Sequence, residues 1–423
     1  MTTQADIENV LWSACDTFRG KIDSSRYKDY ILSMLFVKYL SDVYKETKKN
    51  YIQQYEGDMA RVERAMRRER FMMSDISTFD YLYENRNDAN IGEKINKALE
   101  QIENNNSARL HNVFRAIDFN SQVDFGEPKT KNATLRTLLQ DFNKLDLRPS
   151  QLADNDIIGD AYQYMIAKFA SDAGKKGGEF FTPSRVSELV AKLVEPKEND
   201  RICDPTCGSG GLLLKAAAEA HSQKIRRYGQ EQNAQTWALC KMNMFLHNVD
   251  DAEIMNGDTL ANPLLLENDR LKKFQVVVAN PPFSLDKWDA GFMREAPVYE
   301  KGNKPEKMLA GMDPYHRFDI GVPPSGKGDY AFVLHMIATL DDANGRMAVV
   351  LPHGVLFRGT AEGRIRRQLI ETYNLLDAVI GLPENLFYGT GIPACILVFK
   401  KNRATRDVLF IDASGEGNYE KGK

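Results

Sequence analysis

The sequence contains few cysteines, and their positions argue against a disulfide-stabilised scaffold and against a zinc site. The five cysteines, Cys15, Cys203, Cys207, Cys240 and Cys395, are dispersed over 423 residues. An odd and scattered set is typical of free thiols in a reducing cytoplasm. Cys203 and Cys207 lie close together, but no matching pair of Cys or His residues follows at zinc-binding spacing. We therefore expect no metal.

The sequence also lacks a membrane segment, a signal pattern and a large excess of one charge. No apolar run approaches the length that crosses a bilayer, and the amino terminus, Met-Thr-Thr-Gln-Ala-Asp, has no charged-then-apolar pattern. We expect a cytoplasmic protein with no membrane partner. The formal net charge is only −3, from 56 Lys and Arg against 59 Asp and Glu. In a DNA-binding protein, this balance would indicate that a partner supplies part of the contact with phosphates.

Two differently patterned regions divide the chain, which is too long for one ordinary hydrophobic core. Residues 1–150 carry apolar side chains at helical spacing, which predicts an α-helical N-terminal domain with one helix over roughly Tyr27–Lys45. We expect this domain to contact a partner or DNA. Residues 151–423 alternate strands with helices, which predicts an α/β domain with a mostly parallel, doubly wound sheet. The strands are predicted at Arg201–Asp204, Ile225–Gln230, Ala252–Met255, Phe274–Ala279, Arg346–Leu351, Leu375–Gly381, Ala394–Phe399 and Val408–Ile411.

The most informative stretch is Val276–Phe283, which reads Val-Val-Val-Ala-Asn-Pro-Pro-Phe. Its three valines predict a strand that is buried on both faces. The strand must stop at Asn280, because Pro281 and Pro282 have no N–H to donate to a neighbouring strand. In open α/β sheets the carboxyl end of a strand is where ligands bind. The alternative is an ordinary turn or a cis-proline after a core strand.

The tetrapeptide Asn280–Phe283 suits the activation of an amino group on a flat ring. The Asn280 side-chain oxygen and the Pro281 carbonyl can each accept a hydrogen bond from one –NH₂ group. Phe283 can stack on the ring that carries the amine, an interaction worth roughly 1–3 kcal/mol per base in nucleic-acid complexes. Two acceptors favour a more tetrahedral nitrogen whose lone pair points outward. No strong base is needed, because the proton becomes acidic only once the new bond forms.

A glycine-rich turn, Asp204-Pro-Thr-Cys-Gly-Ser-Gly-Gly211, follows an earlier predicted strand and opens a helix. Its glycines let the backbone approach a ligand closely, and the helix start offers free N–H groups. The turn matches neither the dinucleotide fingerprint nor a phosphate loop. Asp204 adds a carboxylate that would repel a pyrophosphate and attract an amino-acid ammonium group. The alternative is a tight turn with no ligand.

Three smaller patches lie near the other strand ends. Glu231, roughly 20 residues past the glycine-rich turn, suits hydrogen bonding to ribose hydroxyls, although a surface Glu is an equal alternative. Asp258 could accept a hydrogen bond from an adenine amine, or it could belong to a simple Asn-Gly turn. In the segment Gly178–Pro183, aromatic rings could flank a sulfonium ion. That segment could also be a helix cap whose aromatics pack inward.

Together, Gly-Glu-Phe-Phe-Thr-Pro, Asp-Pro-Thr-Cys-Gly-Ser-Gly-Gly and Asn-Pro-Pro-Phe resemble the motifs of amino-methylating DNA methyltransferases. Their order is similar to the gamma arrangement of adenine-N6 enzymes. With its helical N-terminal region, the chain resembles the modification subunit of type I restriction-modification systems. The resemblance implies an S-adenosylmethionine-dependent methyltransferase fold and that cofactor. It also implies double-stranded DNA as substrate and assembly of two modification subunits with one DNA specificity subunit, to which a restriction subunit can be added.

The resemblance also implies roles for individual residues. Glu179–Ser184 and Asp204–Gly211 would hold the methionine part of the cofactor, Glu231 its ribose and Asp258 its adenine. Asn280 and the Pro281 carbonyl would bind the amine of a flipped adenine, on which Phe283 stacks. The catalytic set is thus Asn280, Pro281, Pro282 and Phe283. The cofactor set is Glu179, Phe180, Phe181, Thr182, Pro183, Ser184, Asp204, Gly208, Ser209, Gly210, Gly211, Glu231 and Asp258.

Three further stretches have open interpretations. Arg61–Arg70 is either a solvated helix face or a contact for DNA phosphates or a partner. Asn385–Tyr388 either supplies a second aromatic wall for the flipped base or packs in the core. Ser284–Gly328, which Gly and Pro interrupt, is either a solvated loop or a mobile flap near DNA. The cations of this last stretch are Lys287, Arg294, Lys301, Lys304, Lys307 and Arg317.

Two other functions fit parts of the pattern. Asn-Pro-Pro followed by an aromatic residue also suits methylation of a protein glutamine amide, because gripping an –NH₂ group is the same chemistry. A non-catalytic subunit could keep the fold and methylate nothing. The intact Asn280–Phe283 and glycine-rich turn argue against the second alternative.

Overall fold

The computed structural model describes residues 1–154, 156–172, 181–293, 313–387 and 391–415. The chain divides into two compact units. The first consists of residues 1–177 and 241–250, and the second of residues 178–240 and 251–423. The helix Ala234–Leu246 contributes residues to both. We predicted a boundary near residue 150 between two domains that fold independently. A division into compact units does not test independent folding, so this boundary stays a prediction.

The first unit is helical, as predicted. Its first helix begins at a capping box, in which the Thr3 hydroxyl accepts from the Asp6 N–H and the Asp6 carboxylate accepts from the Thr3 N–H. None of the described helices combines the length and apolarity that a membrane span requires. The helices of this unit are Gln4–Phe18, Ser24–Gln54, Met59–Met66, Phe79–Glu84, Ile91–Asn105, Ser107–Leu110, Gln122–Phe125, Pro128–Phe142 and Ile157–Asp172, with 3₁₀ turns at Asp75–Ser77 and Pro149–Gln151.

Aromatic packing around the second helix forms the centre of this unit. The helix runs from Ser24 to Gln54 and is longer than predicted. Tyr30 packs against Phe125, with ring centroids 4.8 Å apart, and its hydroxyl donates to Asp124 at 2.7 Å. The buried hydroxyl is therefore satisfied, and the ring contributes its apolar area to the core.

The arginine-rich segment is partly structural. The helix Met59–Met66 buries Val62 and Met66, whereas Arg61, Arg64, Arg67 and Arg68 are exposed. Arg70 pairs with Asp250 at 2.6 Å and lies 3.8 Å from the centroid of the Phe245 ring. Arg70 thus packs and pairs within the first unit. Contact of the exposed arginines with DNA or a partner stays a prediction.

The second unit contains the predicted sheet. Eight strands follow the order β10-β8-β9-β7-β6-β1-β2-β3, and all neighbours are parallel except β9, which runs antiparallel to β7 and β8. A short hairpin, β4–β5, was not predicted. The strands are β1 Arg201–Asp204, β2 Arg226–Glu231, β3 Glu253–Asn256, β4 Leu266–Glu267, β5 Arg270–Leu271, β6 Val276–Ala279, β7 Arg346–Pro352, β8 Leu376–Gly381, β9 Ala394–Lys400 and β10 Leu409–Asp412.

One helix precedes β1 and others occupy several of the connections between strands, which confirms the predicted α/β class with its mostly parallel sheet. The π-helical turn Gln368–Thr372 extends the last of them. The helices are Ser184–Leu193, Gly211–Glu219, the first part of Ala234–Leu246, Ala290–Met293, Asp329–Thr339, Gly354–Phe357 and Thr360–Arg367.

The centre of the sheet is where its strand order reverses. Strands β1, β2 and β3 succeed one another in one direction, while β6 pairs with the opposite edge of β1 through the register Cys203↔Val277. All four residues of β6 are fully buried, as the run of valines predicts. The carboxyl ends of β1 and β6 therefore flank the crevice at which open α/β sheets bind ligands.

The long connection after β6 differs from the prediction in its described parts. Trp288 and Phe318 are buried with ring centroids 5.1 Å apart. Arg317 is 4% exposed and pairs with Asp313 at 2.9 Å, so the prediction that it belongs to a solvated loop or DNA-facing flap is wrong. Lys287 is exposed. The other predicted cations, Arg294, Lys301, Lys304 and Lys307, lie outside the described residues.

Candidate active site

The glycine-rich turn leaves the sheet at Asp204 and needs glycine at two positions. Gly208 and Gly210 have φ angles of +55° and +84°, which residues with a side chain rarely adopt. Asp204 is only 2% exposed and accepts a hydrogen bond from the Thr206 N–H at 3.0 Å. Burial raises the pKa of Asp204 to about 7, against the lowering effect of that hydrogen bond. The turn therefore buries a carboxyl group that titrates near neutral pH.

Glu231, at the end of β2, fastens the glycine-rich turn to the sheet. Its Oε2 accepts from the Gly208 N–H at 3.0 Å, and its Oε1 accepts from the Asn233 N–H at 2.8 Å. Burial raises the pKa of Glu231, and these backbone donors oppose the effect. The surface-Glu alternative is wrong, because the residue is 8% exposed. Each oxygen retains a lone pair, so hydrogen bonding to a ribose stays a prediction.

Asp258, after β3, orders the backbone of its own turn. Its Oδ1 accepts from the Leu260 and Ala261 N–H groups at 2.9 and 3.1 Å. The side chain of Gln230 holds the same loop, since its Nε2 donates to the Gly257 carbonyl at 3.1 Å. Asp258 therefore stabilises a turn, as the structural alternative predicted. Its contact with an adenine stays a prediction.

Asn280, immediately after β6, has one half of its amide satisfied and the other half open. Its Nδ2 donates to the Thr182 hydroxyl oxygen at 3.1 Å. Its Oδ1 is buried and has no hydrogen-bond partner among the described residues. A buried carbonyl oxygen without a donor is costly, and in native proteins it calls for an explanation such as a missing ligand. Pro281 and Pro282 have trans peptide bonds, so the cis-proline alternative is wrong.

Phe283 is fixed by a neighbouring ring and by the residue that follows it. Its ring centroid lies 5.6 Å from that of Phe387, with the planes at 68°. The Ser284 N–H donates to the buried Asp329 at 2.8 Å. Phe387 is buried and adjoins Phe283, as the core-packing alternative also expects, and its role as a wall for a base stays a prediction. Tyr388 lies outside the described residues.

A cavity of about 490 Å³ joins the two motifs within the second unit. This volume is in the range of pockets for drug-sized ligands. Five of the predicted residues do not line it, namely Pro183, Ser184, Gly210, Pro281 and Phe283. Two others, Glu179 and Phe180, lie outside the described residues. Those that line it are Phe181, Thr182, Asp204, Gly208, Ser209, Gly211, Glu231, Asp258, Asn280 and Pro282.

The cavity has further walls that the sequence did not single out. Gln232, Asn233 and Thr259 lie within two residues after a predicted acidic residue, so their position in sequence could have indicated them. Leu285 follows the tetrapeptide by two residues. Phe332 comes from the helix Asp329–Thr339 and carries no local pattern that distinguishes it from a core residue.

Comparison with protein families identifies both regions of the chain. Residues 153–423 match the N-6 DNA methylase family, and residues 7–142 match the HsdM N-terminal domain. The methylase subunit of the type I restriction enzyme MpnII, from Mycoplasma pneumoniae, is 34% identical over 98% of this chain and 80% of its own length. The MjaIX methylase subunit of Methanocaldococcus jannaschii is 28% identical over 96% of this chain and 72% of its own.

Solved structures agree with the sequence relatives. The type I restriction-modification methyltransferase subunit of Streptococcus thermophilus superposes with a TM-score of 0.81 at 35% identity, over 100% of this chain and 90% of that one. A Listeria monocytogenes structure described as a class I S-adenosylmethionine-dependent methyltransferase shares the fold, with a TM-score of 0.50 at 18% identity. The expected methyltransferase fold is thus confirmed. The chain belongs to the N-6 DNA methylase family, among the methylase subunits of type I restriction enzymes.

Proposed function

We propose that the cavity is where this enzyme methylates N6 of an adenine that has left the DNA duplex. The observation that carries the proposal is the buried, unpaired Oδ1 of Asn280, a residue that lines the same cavity as the glycine-rich turn. An adenine amine placed there would satisfy this buried oxygen. Two motifs distant in sequence would then serve one transfer, one holding the methyl donor and the other the acceptor.

The residues on the turn side of the cavity suit S-adenosylmethionine. The Asp204 carboxylate would attract its ammonium group, and Glu231 and Asp258 would bind its ribose and adenine. Phe181, on the cavity wall, offers an aromatic face to a sulfonium. When bound, this cofactor supplies a sulfonium-activated methyl group that the N6 nitrogen attacks, while sulfur keeps the electron pair of the broken bond.

The chain's own residues would prepare the acceptor. The Asn280 Oδ1 would accept one N6 hydrogen, whereas the Pro281 carbonyl, predicted from the sequence to accept the other, does not line the cavity. Thr182 orients the amide, because its hydroxyl oxygen accepts a hydrogen bond from Nδ2 at 3.1 Å. After transfer the nitrogen releases a proton to water, and no buried base is required. Most of the acceleration then comes from holding the two reactants in attack geometry.

The proposed assembly follows from the family. A type I methylase subunit works within a restriction-modification system, and we propose a DNA specificity subunit, a second copy of this chain and a restriction subunit as its partners. Double-stranded DNA is the proposed substrate, and the cytoplasm is the proposed location. The relatives favour neither glutamine-amide methylation nor a non-catalytic role.

Mapping of modified bases tests this function. The chain is co-expressed with its cognate specificity subunit, and N6-methyladenine is mapped in the host DNA. We expect site-specific methylation by the wild type and by Asn344→Ala, a control at an exposed asparagine of the same unit. Methylation should vanish in Asn280→Ala. Full methylation by Asn280→Ala, or a modified base other than N6-methyladenine, would overturn the proposal.

A further inference from the structure

An exposed phenylalanine stands at the same edge of the sheet as Asn280. Strand β7 pairs with β6 in parallel, so the carboxyl ends of both strands lie at one edge. Chain segment 353–359 follows β7 and contains the one-turn helix Gly354–Phe357. Phe357 is 75% exposed, whereas Val355 of the same turn is fully buried. The ring is therefore directed outward from an otherwise packed turn.

Side chains from neighbouring helices donate hydrogen bonds to the backbone of this turn. The Tyr330 hydroxyl and the Arg366 guanidinium both donate to the Val355 carbonyl at 2.9 Å. Arg366 also donates to the Arg358 carbonyl at 3.1 Å. Arg358 itself pairs with the buried Glu362 at 2.5 Å. These contacts fix the backbone of the turn from which the exposed Phe357 ring projects.

One carboxylate links the Phe357 turn to the proposed catalytic tetrapeptide. Asp329 is fully buried; its Oδ1 accepts from the Ser284 N–H at 2.8 Å, and its Oδ2 pairs with Arg358. Ser284 follows Phe283, and Arg358 follows Phe357. Asp329 therefore connects the backbone beside Phe283 to the side chain of the residue that follows Phe357.

We propose that Phe357 stacks on the DNA base step beside the target adenine and stabilises the duplex that this base has left. The inference rests on the proposed function. Aromatic rings stack on bases of any sequence, and apolar side chains inserted at base steps compensate for lost stacking. Two exposed lysines that could contact phosphates lie beside the segment that follows the tetrapeptide: Lys287 is four residues past Phe283, and Lys327 precedes Gly328, whose N–H donates to the Leu285 carbonyl at 3.0 Å.

DNA with an altered target pair tests this role in the complex with the specificity subunit. We expect Phe357→Ala to lower the single-turnover rate on paired DNA by about 5- to 150-fold, the range that corresponds to loss of one base–aromatic stack. Much of the rate should return when the target adenine faces an abasic site, since the cost of unpairing is then small. Phe357→Tyr should stay close to wild type.

A matched control separates this effect from a general loss of exposed apolar surface. Phe410, on edge strand β10, is 72% exposed, and Phe410→Ala should leave the rate unchanged on both substrates. S-adenosylmethionine affinity should also be unchanged in Phe357→Ala. A reporter base, 2-aminopurine, in place of the target adenine should show less base extrusion in Phe357→Ala than in the wild type.

Three outcomes would overturn the inference. One is an equal loss of rate on paired and abasic substrates. Another is dissociation of Phe357→Ala from the specificity subunit, which would make the ring a protein contact. The third is full activity of Phe357→Ala in a complex whose wild-type form methylates DNA. That result would refute the role of Phe357 and would leave the proposed function intact. A wild-type complex that binds DNA and extrudes the base but makes no N6-methyladenine would instead refute the proposed function alone.

Discussion

Replacement of Thr182 by valine tests how the Asn280 amide is oriented. Valine keeps the shape of threonine but removes the oxygen that accepts from Asn280 Nδ2 at 3.1 Å. Without that acceptor, the amide can turn and present its –NH₂ group to the target amine, which repels it. The open Oδ1 would then be available for only part of the time. The change therefore acts on transfer through Asn280.

The size of the effect follows from the one hydrogen bond that is lost. A hydrogen bond of this kind contributes about 0.5–1.5 kcal/mol net. If that free energy favours the reactive orientation of the amide, loss of the bond lowers the rate of transfer by about 2- to 13-fold. Thr182→Ser keeps the hydroxyl that accepts this hydrogen bond, so its rate of transfer should fall by less than about twofold.

Single-turnover methyl transfer by the assembled complex, at saturating cofactor and DNA, measures this rate separately from binding. Because Thr182 also lines the cofactor side of the cavity, the dissociation constant of S-adenosylmethionine is measured in parallel. We expect the valine variant to lose transfer rate by a larger factor than cofactor affinity. The reasoning fails if valine transfers at the wild-type rate, or if serine is as slow as valine.

Three further predictions follow from buried groups. Arg317→Met should lower the free energy of unfolding in urea by about 3–5 kcal/mol, because it leaves the buried Asp313 carboxylate unpaired, whereas the exposed Lys287→Met should have little effect. The pKa of Asp204 is about 7, so raising the pH ionises it and should tighten S-adenosylmethionine binding. Calorimetry between about pH 6 and about pH 7.5 should show this gain in affinity, and Asp204→Asn should abolish it. All five cysteines are buried free thiols and only Cys207 is among the residues that line the described cavity, so a thiol reagent should titrate the other four only after unfolding, and their rapid reaction in the native protein would contradict the packing.

The sheet was readable from sequence where a strand's environment leaves a strong pattern. The buried valines of β6 and the turn that closes β1 placed both strands within a few residues. The hairpin β4–β5 has only two residues in each strand and is too short to produce periodicity. The antiparallel direction of β9 depends on which neighbours it pairs with, and residue order along the chain does not contain that information.

For the site, local motifs were predictable and long-range contacts were not. Each acidic residue after a strand could be found from its own neighbours. The hydrogen bond between Thr182 and Asn280 joins residues 98 positions apart, and neither motif alone shows that its partner is in the other. Arg317 was misassigned for the same reason: a charged residue in a Gly- and Pro-rich stretch is usually solvated. Its burial depends on Asp313 and on carbonyl groups of residues 259 and 260.

The central claim is that an open amide oxygen beside a bound sulfonium donor makes an unreactive amine attack. The most direct measurement is the transfer rate of Asn280→Ala in the assembled complex, taken together with its affinity for S-adenosylmethionine. We predict a rate lower by about 100-fold or more, the usual cost of removing a preorganised polar group, with cofactor affinity nearly unchanged. A variant that still transfers at close to the wild-type rate would contradict the account, and so would one that loses activity only because it no longer binds the cofactor.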